Sequence, residues 1–162
     1  MRILGIDPGL DRLGWAVVEH SPREDRWVAS GCIRTMRGDS QTDRLLSAGK
    51  QLQAVFAEYK PDRVGVEQLF FAKNAKTAMM VGQARGVILY VVASQSVPII
   101  EVLPNQVKQS VAGSGAADKR QVGKMVRLIT KDLPTGKRLD DEVDAIAIAL
   151  TAAQLQSTNR SE

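Results

Sequence analysis

The chain has 162 residues, 44% hydrophobic and 25% charged, a composition typical of one globular domain with a sizeable core. No apolar run approaches the roughly 20 residues that a membrane-spanning helix needs, and the first residues lack the pattern of a secretory signal. The single cysteine, Cys32, excludes an intrachain disulfide and a multi-cysteine metal site, so we expect a reducing, cytoplasmic setting. The net charge of +4 favours an anionic partner.

The first third of the chain predicts three strands in succession. An apolar run over residues 2–6 ends at Asp7, and Pro8-Gly9 cannot continue a strand. Residues 14–19 and 27–35 read as the second and third strands, and the short links between them indicate an antiparallel meander.

A helix and a fourth strand follow. Apolar residues recur at helical spacing over residues 42–59, which predicts an amphipathic helix, and residues 63–67 form a short strand that ends in Glu67. A helix between two strands makes their pairing parallel, so Asp7 and Glu67 are expected side by side at one sheet edge. The helix predicted over residues 74–94 is apolar on every face in its second half, which indicates a subunit interface.

The remaining elements complete an α/β fold. Residues 98–103 predict a fifth strand, residues 118–131 a basic amphipathic helix, and residues 140–154 an Ala- and Ile-rich helix. We therefore expect a single domain over residues 1–154, with a five-stranded mixed sheet of three antiparallel strands and then parallel additions, flanked by helices, and a disordered tail over residues 155–162. The segment from Pro104 to Arg138 contains eight basic and two acidic residues, so the net positive charge of the chain comes from this region.

Two further carboxylates open the last helix. Asp141 and Asp144 are three residues apart and share a helix face, although the helix dipole alone explains acidic residues at this position. Together with Asp7 and Glu67 they would bring four negative charges together, which repel unless a cation intervenes. Oxygen ligands without His or Cys suit Mg²⁺ or Mn²⁺, and a pair of such ions is a known device for phosphodiester hydrolysis.

Short segments spread over nearly the whole chain resemble the RuvC family of Holliday-junction resolvases, in the RNase H-like superfamily. They are GIDPG (residues 5–9), SGCIRT (30–35), EQ (67–68) with FFAKN (70–74), GQARGV (82–87), QVKQ (106–109) and DEVDA (141–145).

The resemblance implies an RNase H-like fold and a homodimeric, metal-dependent endonuclease of homologous recombination and DNA repair. Such an enzyme resolves four-way (Holliday) junctions by paired symmetric nicks through two-metal-ion hydrolysis, leaving 5′-phosphate and 3′-hydroxyl ends. By motif match, the catalytic, metal-binding residues are Asp7, Glu67, Asp141 and Asp144; some relatives carry His at the Asp141 position. The implied partners are four-way junction DNA, a second copy of the chain and a branch-migration complex of the RuvA/RuvB type.

Seven residues are candidates for DNA contact. Phe70 and Phe71 follow Glu67 closely and could stack on an unpaired base, but they could equally pack into the core or the dimer interface. Lys108 and Lys119 match family positions near the scissile strand, whereas a basic helix face is also an ordinary solvated surface. The full set is Phe70, Phe71, Lys73, Lys108, Lys119, Arg120 and Lys124.

Three rival functions remain open from the sequence. RNase H-like nucleases that act on RNA also begin with a strand ending in Asp, but the FFAKN segment and the basic region favour a junction resolvase. Sugar-kinase and actin-like ATPases share the opening motif, yet they need a second domain for which this chain has no room. A junction-binding scaffold without catalysis is the alternative from another class, and incubation with a labelled junction, with and without metal, discriminates it from an enzyme.

Overall fold

The structure, a computed structural model, describes residues 1–68, 75–136 and 138–158. These residues form one six-stranded sheet in the order β5-β4-β1-β2-β3-β6 and five helices. The strands are β1 (Arg2–Asp7), β2 (Arg12–His20), β3 (Asp25–Arg34), β4 (Arg63–Glu67), β5 (Ile99–Val102) and β6 (Thr130–Lys131). The helices are α1 (Gln41–Tyr59), α2 (Ala75–Ser94), α3 (Pro104–Ala112), α4 (Lys119–Ile129) and α5 (Asp140–Thr158).

The predicted mixed sheet is confirmed, with one strand more than expected. β1, β2 and β3 form the antiparallel meander, while β4 pairs with β1, and β5 with β4, in parallel. The prediction of five strands was wrong, because β6 also joins the sheet, parallel to β3. Its two residues were assigned to the end of the basic helix; that helix stops at Ile129, and the chain turns extended to reach the sheet edge.

Two further expectations from the sequence need correction. The sequence pattern predicts no helix between the strand over residues 98–103 and the helix over residues 118–131, but Pro104 begins α3, because a proline fits the first turn of a helix, where its missing N–H group is not needed. The last helix continues to Thr158, so residues 155–158 of the predicted tail are helical. The prediction for residues 159–162 lies outside the described residues.

Helices cover both faces of the sheet. Alternate residues of β1 and β4 point to opposite faces. Leu4, Ile6, Val64 and Val66 pack in a core with α1 and α2. The opposite face, which includes Ile3 and Val102, packs in a second core with α3, α4 and α5. Among the described residues, no helix combines the length and the apolar character needed to cross a membrane.

Candidate active site

Two acidic residues meet at the ends of adjacent parallel strands. β1 and β4 pair in register up to Ile6 and Val66, so Asp7 and Glu67 follow side by side. The alternation along each strand turns both carboxylates toward the face that α5 covers. Both side chains are half-buried, so their charges lie where water screens them poorly.

Helix α5 lies directly on the sheet because three strands carry glycine where it crosses. A Cβ atom at Gly5 of β1 would lie 2.1 Å from the carbonyl oxygen of Ala145, and one at Gly14 of β2 would lie 2.1 Å from that of Asp141. At Gly65 of β4 a Cβ atom would lie 2.8 Å from the Ala152 Cβ. This close approach brings the first turns of α5 to the strand ends, and Asp141 and Asp144 with them.

A polar network ties the start of α5 to β3. The Ser30 hydroxyl donates to Glu142 Oε2 at 2.9 Å and accepts from Trp27 Nε1 at 3.2 Å. The Arg138 guanidinium lies over the Trp27 ring at 5.1 Å from its centre and within 3.4 Å of Glu142 Oε2. Arg138 and Glu142 are only 14% and 15% exposed, so this network fixes the position from which the acidic side chains of α5 project.

The four predicted carboxylates interact electrostatically. Burial, followed by the negative charges of Asp144, Glu67 and Asp141, raises the pKa of Asp7 from 3.8 to about 7. Burial and the charge of Asp144 also raise the pKa of Glu67. The four acidic residues that the sequence singled out therefore lie near one another, and the charges of the other three raise the pKa of Asp7.

Two cations partly balance this charge. Lys119 Nζ lies 2.8 Å from Asp144 Oδ2 and 3.6 Å from Asp140 Oδ2. Burial lowers the pKa of Lys119, but its bonds to Asp144 and Asp140 outweigh that effect and raise it overall. Lys119 is held there because Asp118 caps α4 through the Gln121 backbone N–H group. On the other side, Arg12 Nε lies 3.4 Å from Asp141 Oδ2.

The donor set fits a hard divalent cation. The Oδ2 atom of Asp141 is buried and accepts no hydrogen bond, and within the described part of the chain the Asp7 carboxylate has neither a hydrogen-bond donor nor an ion-pair partner. All candidate ligands are oxygens, as Mg²⁺ and Mn²⁺ prefer. As the side chains stand, no three acidic, His or Cys groups of the described residues converge closely enough to hold an ion, and Lys119 and Arg12 contact two of the carboxylates instead.

Four of the predicted basic residues line two adjoining clefts, one of which contains two of the carboxylates. Lys108 and Lys119 line a cavity of about 250 Å³ together with Glu67 and Asp144. Lys119 also borders a second cleft of about 570 Å³ along α4, which Arg120 and Lys124 line. Phe70, Phe71 and Lys73 lie outside the described residues, so their predicted DNA contacts stay predictions.

Sequence reasoning missed Arg12 as a residue of this site. The second strand was predicted to begin at residue 14, whereas β2 begins at Arg12. The signal that could have found it is the antiparallel pairing of β1 and β2, which places Gly14 opposite Asp7 and leaves Arg12 beside the same strand end. Arg34, the cross-strand partner of Arg12, lies within the predicted third strand but was not singled out as a site residue.

Carboxylates at two adjacent parallel strand ends, joined by two more from a helix that crosses the same sheet, define a metal-dependent nuclease of RNase H-like fold. The family model described as "Crossover junction endodeoxyribonuclease RuvC" matches residues 3–152. The chain belongs to this RuvC family, the crossover junction endodeoxyribonucleases, which are metal-dependent nucleases of DNA recombination and repair.

Individual relatives match over nearly the full length. The crossover junction endodeoxyribonuclease RuvC of Chloroflexus aggregans is 48% identical over 158 residues, which cover 98% of this chain and 96% of the relative. That of a Roseiflexus species is 47% identical over 149 residues, which cover 92% of this chain and 88% of the relative. The structure of T. thermophilus RuvC in complex with Holliday junction substrate superposes with a TM-score of 0.91 at 33% identity, covering 98% of this chain and 96% of that one.

Proposed function

We propose that this protein resolves four-way (Holliday) DNA junctions by paired symmetric nicks, leaving 5′-phosphate and 3′-hydroxyl ends. The observation that carries the proposal is that four carboxylates from β1, β4 and α5 lie near enough to interact, in a chain of the RuvC family; burial together with the three other charges raises the pKa of Asp7 to about 7. The related T. thermophilus protein binds a Holliday junction substrate, which supports the same substrate for this chain.

Asp7, Glu67, Asp141 and Asp144 would hold two Mg²⁺ or Mn²⁺ ions per site. Bound there, the ions supply an activated water for attack on the phosphorus and stabilise the departing 3′ oxygen. Asp7 is the central ligand in this scheme, because its pKa responds to all three other carboxylates. In the structure Lys119 and Arg12 partly neutralise Asp144 and Asp141; bound divalent ions would neutralise these two carboxylates in their place.

The basic clefts would hold the DNA backbone next to this centre. Lys119 and Lys108 share a cavity with two of the proposed ligands, so a phosphate bound there lies beside the reacting centre. Arg120 and Lys124 continue the positive surface along α4. We also retain Phe70, Phe71 and Lys73 as proposed DNA contacts on the strength of the family motif.

A junction with twofold symmetry calls for two active sites, and we propose a homodimer formed through α2. Tyr90 and Met79 of this helix are 72% and 67% exposed although both are large and hydrophobic. About three helical turns separate them, so they lie on one face. We further propose action in the cytoplasm, in keeping with the free Cys32, and presentation of the junction by a branch-migration complex of the RuvA/RuvB type.

The test uses an end-labelled four-way junction with Mg²⁺, with Mn²⁺, or with EDTA. We expect symmetric nicks only with metal, and we expect Asp7→Asn to bind the junction without nicking it. Asp140→Asn is the matched control: this neighbouring carboxylate is 78% exposed and is not among the causes of the raised pKa of Asp7, so nicking should persist. An Asp7→Asn protein with full activity would refute the assignment, and a wild-type protein that binds but never nicks would be a scaffold.

A further inference from the structure

A third cleft lies beside Asp7 and Asp141, on the other side of the carboxylates from α4. It has a volume of about 690 Å³ and lies between the turn after β1, the end of β3 and helix α2. Asp7 and Asp141 form its inner end, and Arg12, Arg34 and Arg37 stand along it. We call it the arginine cleft. None of these arginines belongs to the basic region between Pro104 and Arg138.

Arg12 pairs with Asp141 and Arg37 with Asp11, so Arg34 is the arginine of the cleft whose charge is not balanced by an acidic partner among the described residues. Arg12 and Arg34 are direct cross-strand partners in the β2–β3 pair, and like charges at opposed positions destabilise a sheet. The side chains of Arg12 and Arg37 are 55% and 84% exposed, and Arg34 is exposed as well. An anion in the cleft would relieve this repulsion.

Two of the three acidic residues that border the cleft, Asp11 and Asp141, are already paired with arginine. Asp11 pairs with the buried Arg44 as well as with Arg37, and its bonds to these two arginines hold its pKa below the usual range. Asp7 and Asp141 are proposed metal ligands, so their charge would be taken up by cations. What the cleft then presents to a ligand is guanidinium groups, which bind phosphate with two parallel hydrogen bonds.

We propose that the arginine cleft binds backbone phosphates of the scissile DNA strand, on the side of the cut opposite to the α4 cleft. The inference rests on the proposed function. The arginine cleft shares Asp7 and Asp141 with the site, whereas the clefts lined by Lys119 share Glu67 and Asp144 or border Asp140. The carboxylates therefore lie between two basic surfaces, and a strand that crosses both places one phosphate at the carboxylates.

Junction binding without cleavage tests the cleft; it is measured over a range of salt concentrations in EDTA and again with Ca²⁺, which takes oxygen ligands and would neutralise Asp7 and Asp141. Each phosphate contact adds about one to the slope of log affinity against log salt, so Arg34→Gln with Arg37→Gln should lower the slope by about 2. The control removes the same charge elsewhere: Arg23→Gln in the turn between β2 and β3 and Lys50→Gln on α1, both exposed, should leave the slope unchanged. The double variant Arg34→Lys with Arg37→Lys keeps both charges and should recover most of the salt slope that the double glutamine variant loses.

Stability and strand identity give two independent readouts. Because Arg34→Gln removes a repulsion with Arg12, its melting temperature should equal or exceed that of the wild type while DNA binding weakens. Neutral methylphosphonates placed one at a time beside the cut should weaken wild-type binding and have a smaller effect on the double glutamine variant. If the sensitive phosphates lie on the uncut strand, the assignment to the scissile strand is overturned.

The outcomes separate this inference from the function on which it rests. If the double glutamine variant has the salt slope of the wild type, and the wild type nicks junctions, the proposal that the arginine cleft binds phosphates is wrong and the proposed function stands. A wild-type protein that binds junctions without nicking them would refute the proposed function, while the slope would still decide the cleft. Failure of the wild type to bind junctions would remove both.

Discussion

The carboxyl group of Asp7 ends a buried strand, in a place where the fold makes its ionisation costly. Burial and three neighbouring carboxylates raise its pKa from 3.8 to about 7. In the metal-free protein the folded state therefore holds this proton more tightly than the unfolded chain does. At about 1.4 kcal/mol per pKa unit, an ionised Asp7 costs the metal-free fold about 4 kcal/mol.

This cost predicts a pH-dependent difference between the wild type and Asp7→Asn in EDTA. Below about pH 4 the group is protonated in both states, and the two proteins should have similar free energies of unfolding. As the pH rises from about 4 to about 7 the wild type should lose stability relative to the variant, up to about 4 kcal/mol, and the gap should then stay constant. Denaturant titrations at a series of pH values measure this gap, and a gap that does not change with pH would contradict the raised pKa of Asp7.

Metal should reverse the order of stability of the same two proteins. A ligand that binds only the folded state stabilises it, by about 2.7 kcal/mol at a hundredfold excess over its dissociation constant. Mg²⁺ or Mn²⁺ should therefore raise the melting temperature of the wild type and have little effect on Asp7→Asn, because the central carboxylate is missing. Equal stabilisation of both proteins by metal would place the ions elsewhere.

At the scale of elements, the contact between α5 and the sheet determines the geometry of the site. Gly14 lies opposite Asp7, and a Cβ atom there would meet the Asp141 carbonyl oxygen at 2.1 Å. Gly14→Ala should therefore push the first turn of α5 off the strand ends, with a loss of about 1–3 kcal/mol of stability. It should also weaken the stabilisation by metal.

Gly123→Ala is the matched control for this substitution. Its Cβ atom would lie 3.7 Å from Val143 Cγ1, an ordinary contact, and alanine favours a helix interior by up to about 1 kcal/mol. Thermal unfolding with and without metal compares the two variants. Wild-type stability in Gly14→Ala would show that α5 does not depend on this contact.

The elements that could be predicted are those whose sequence pattern is local. Apolar runs that end in Asp7 and Glu67, together with the helix between the two strands, were enough to predict the parallel pair and the meeting of two carboxylates. The position of β6 depends on pairing with β3, which is far away in the chain, and its two residues carry no strand pattern of their own. Arg12 was missed because the start of β2 is set by its register with β1, which the apolar pattern of β2 does not show. Helix α3 was missed because a proline at the start of a helix looks like one that ends a strand.

At the scale of the whole molecule, the exposed apolar face of α2 predicts the subunit contact. Tyr90→Glu would place a charge in the proposed interface, which costs far more there than on a free surface. We expect light scattering after gel filtration to give the mass of one chain for this variant and of two for the wild type. Junction products should then change from paired nicks to single nicks.

Leu128→Glu serves as the control for oligomeric state, since Leu128 is 67% exposed but lies on α4, on the opposite side of the sheet from α2. It should remain a dimer. A Tyr90→Glu protein that still elutes as a dimer would move the interface away from this face.

The packing of α5 on the three strand glycines also has a consequence for synthesis of the chain. A ribosome releases β1, β2 and β4 long before α5, yet α5 covers Gly5, Gly14 and Gly65 of those strands and carries the last two carboxylates. A nascent chain that has not yet been extended to residue 141 thus lacks half of the acidic set, whatever structure its earlier part has reached. The proposed metal site therefore cannot form before the first turns of α5 have been synthesised.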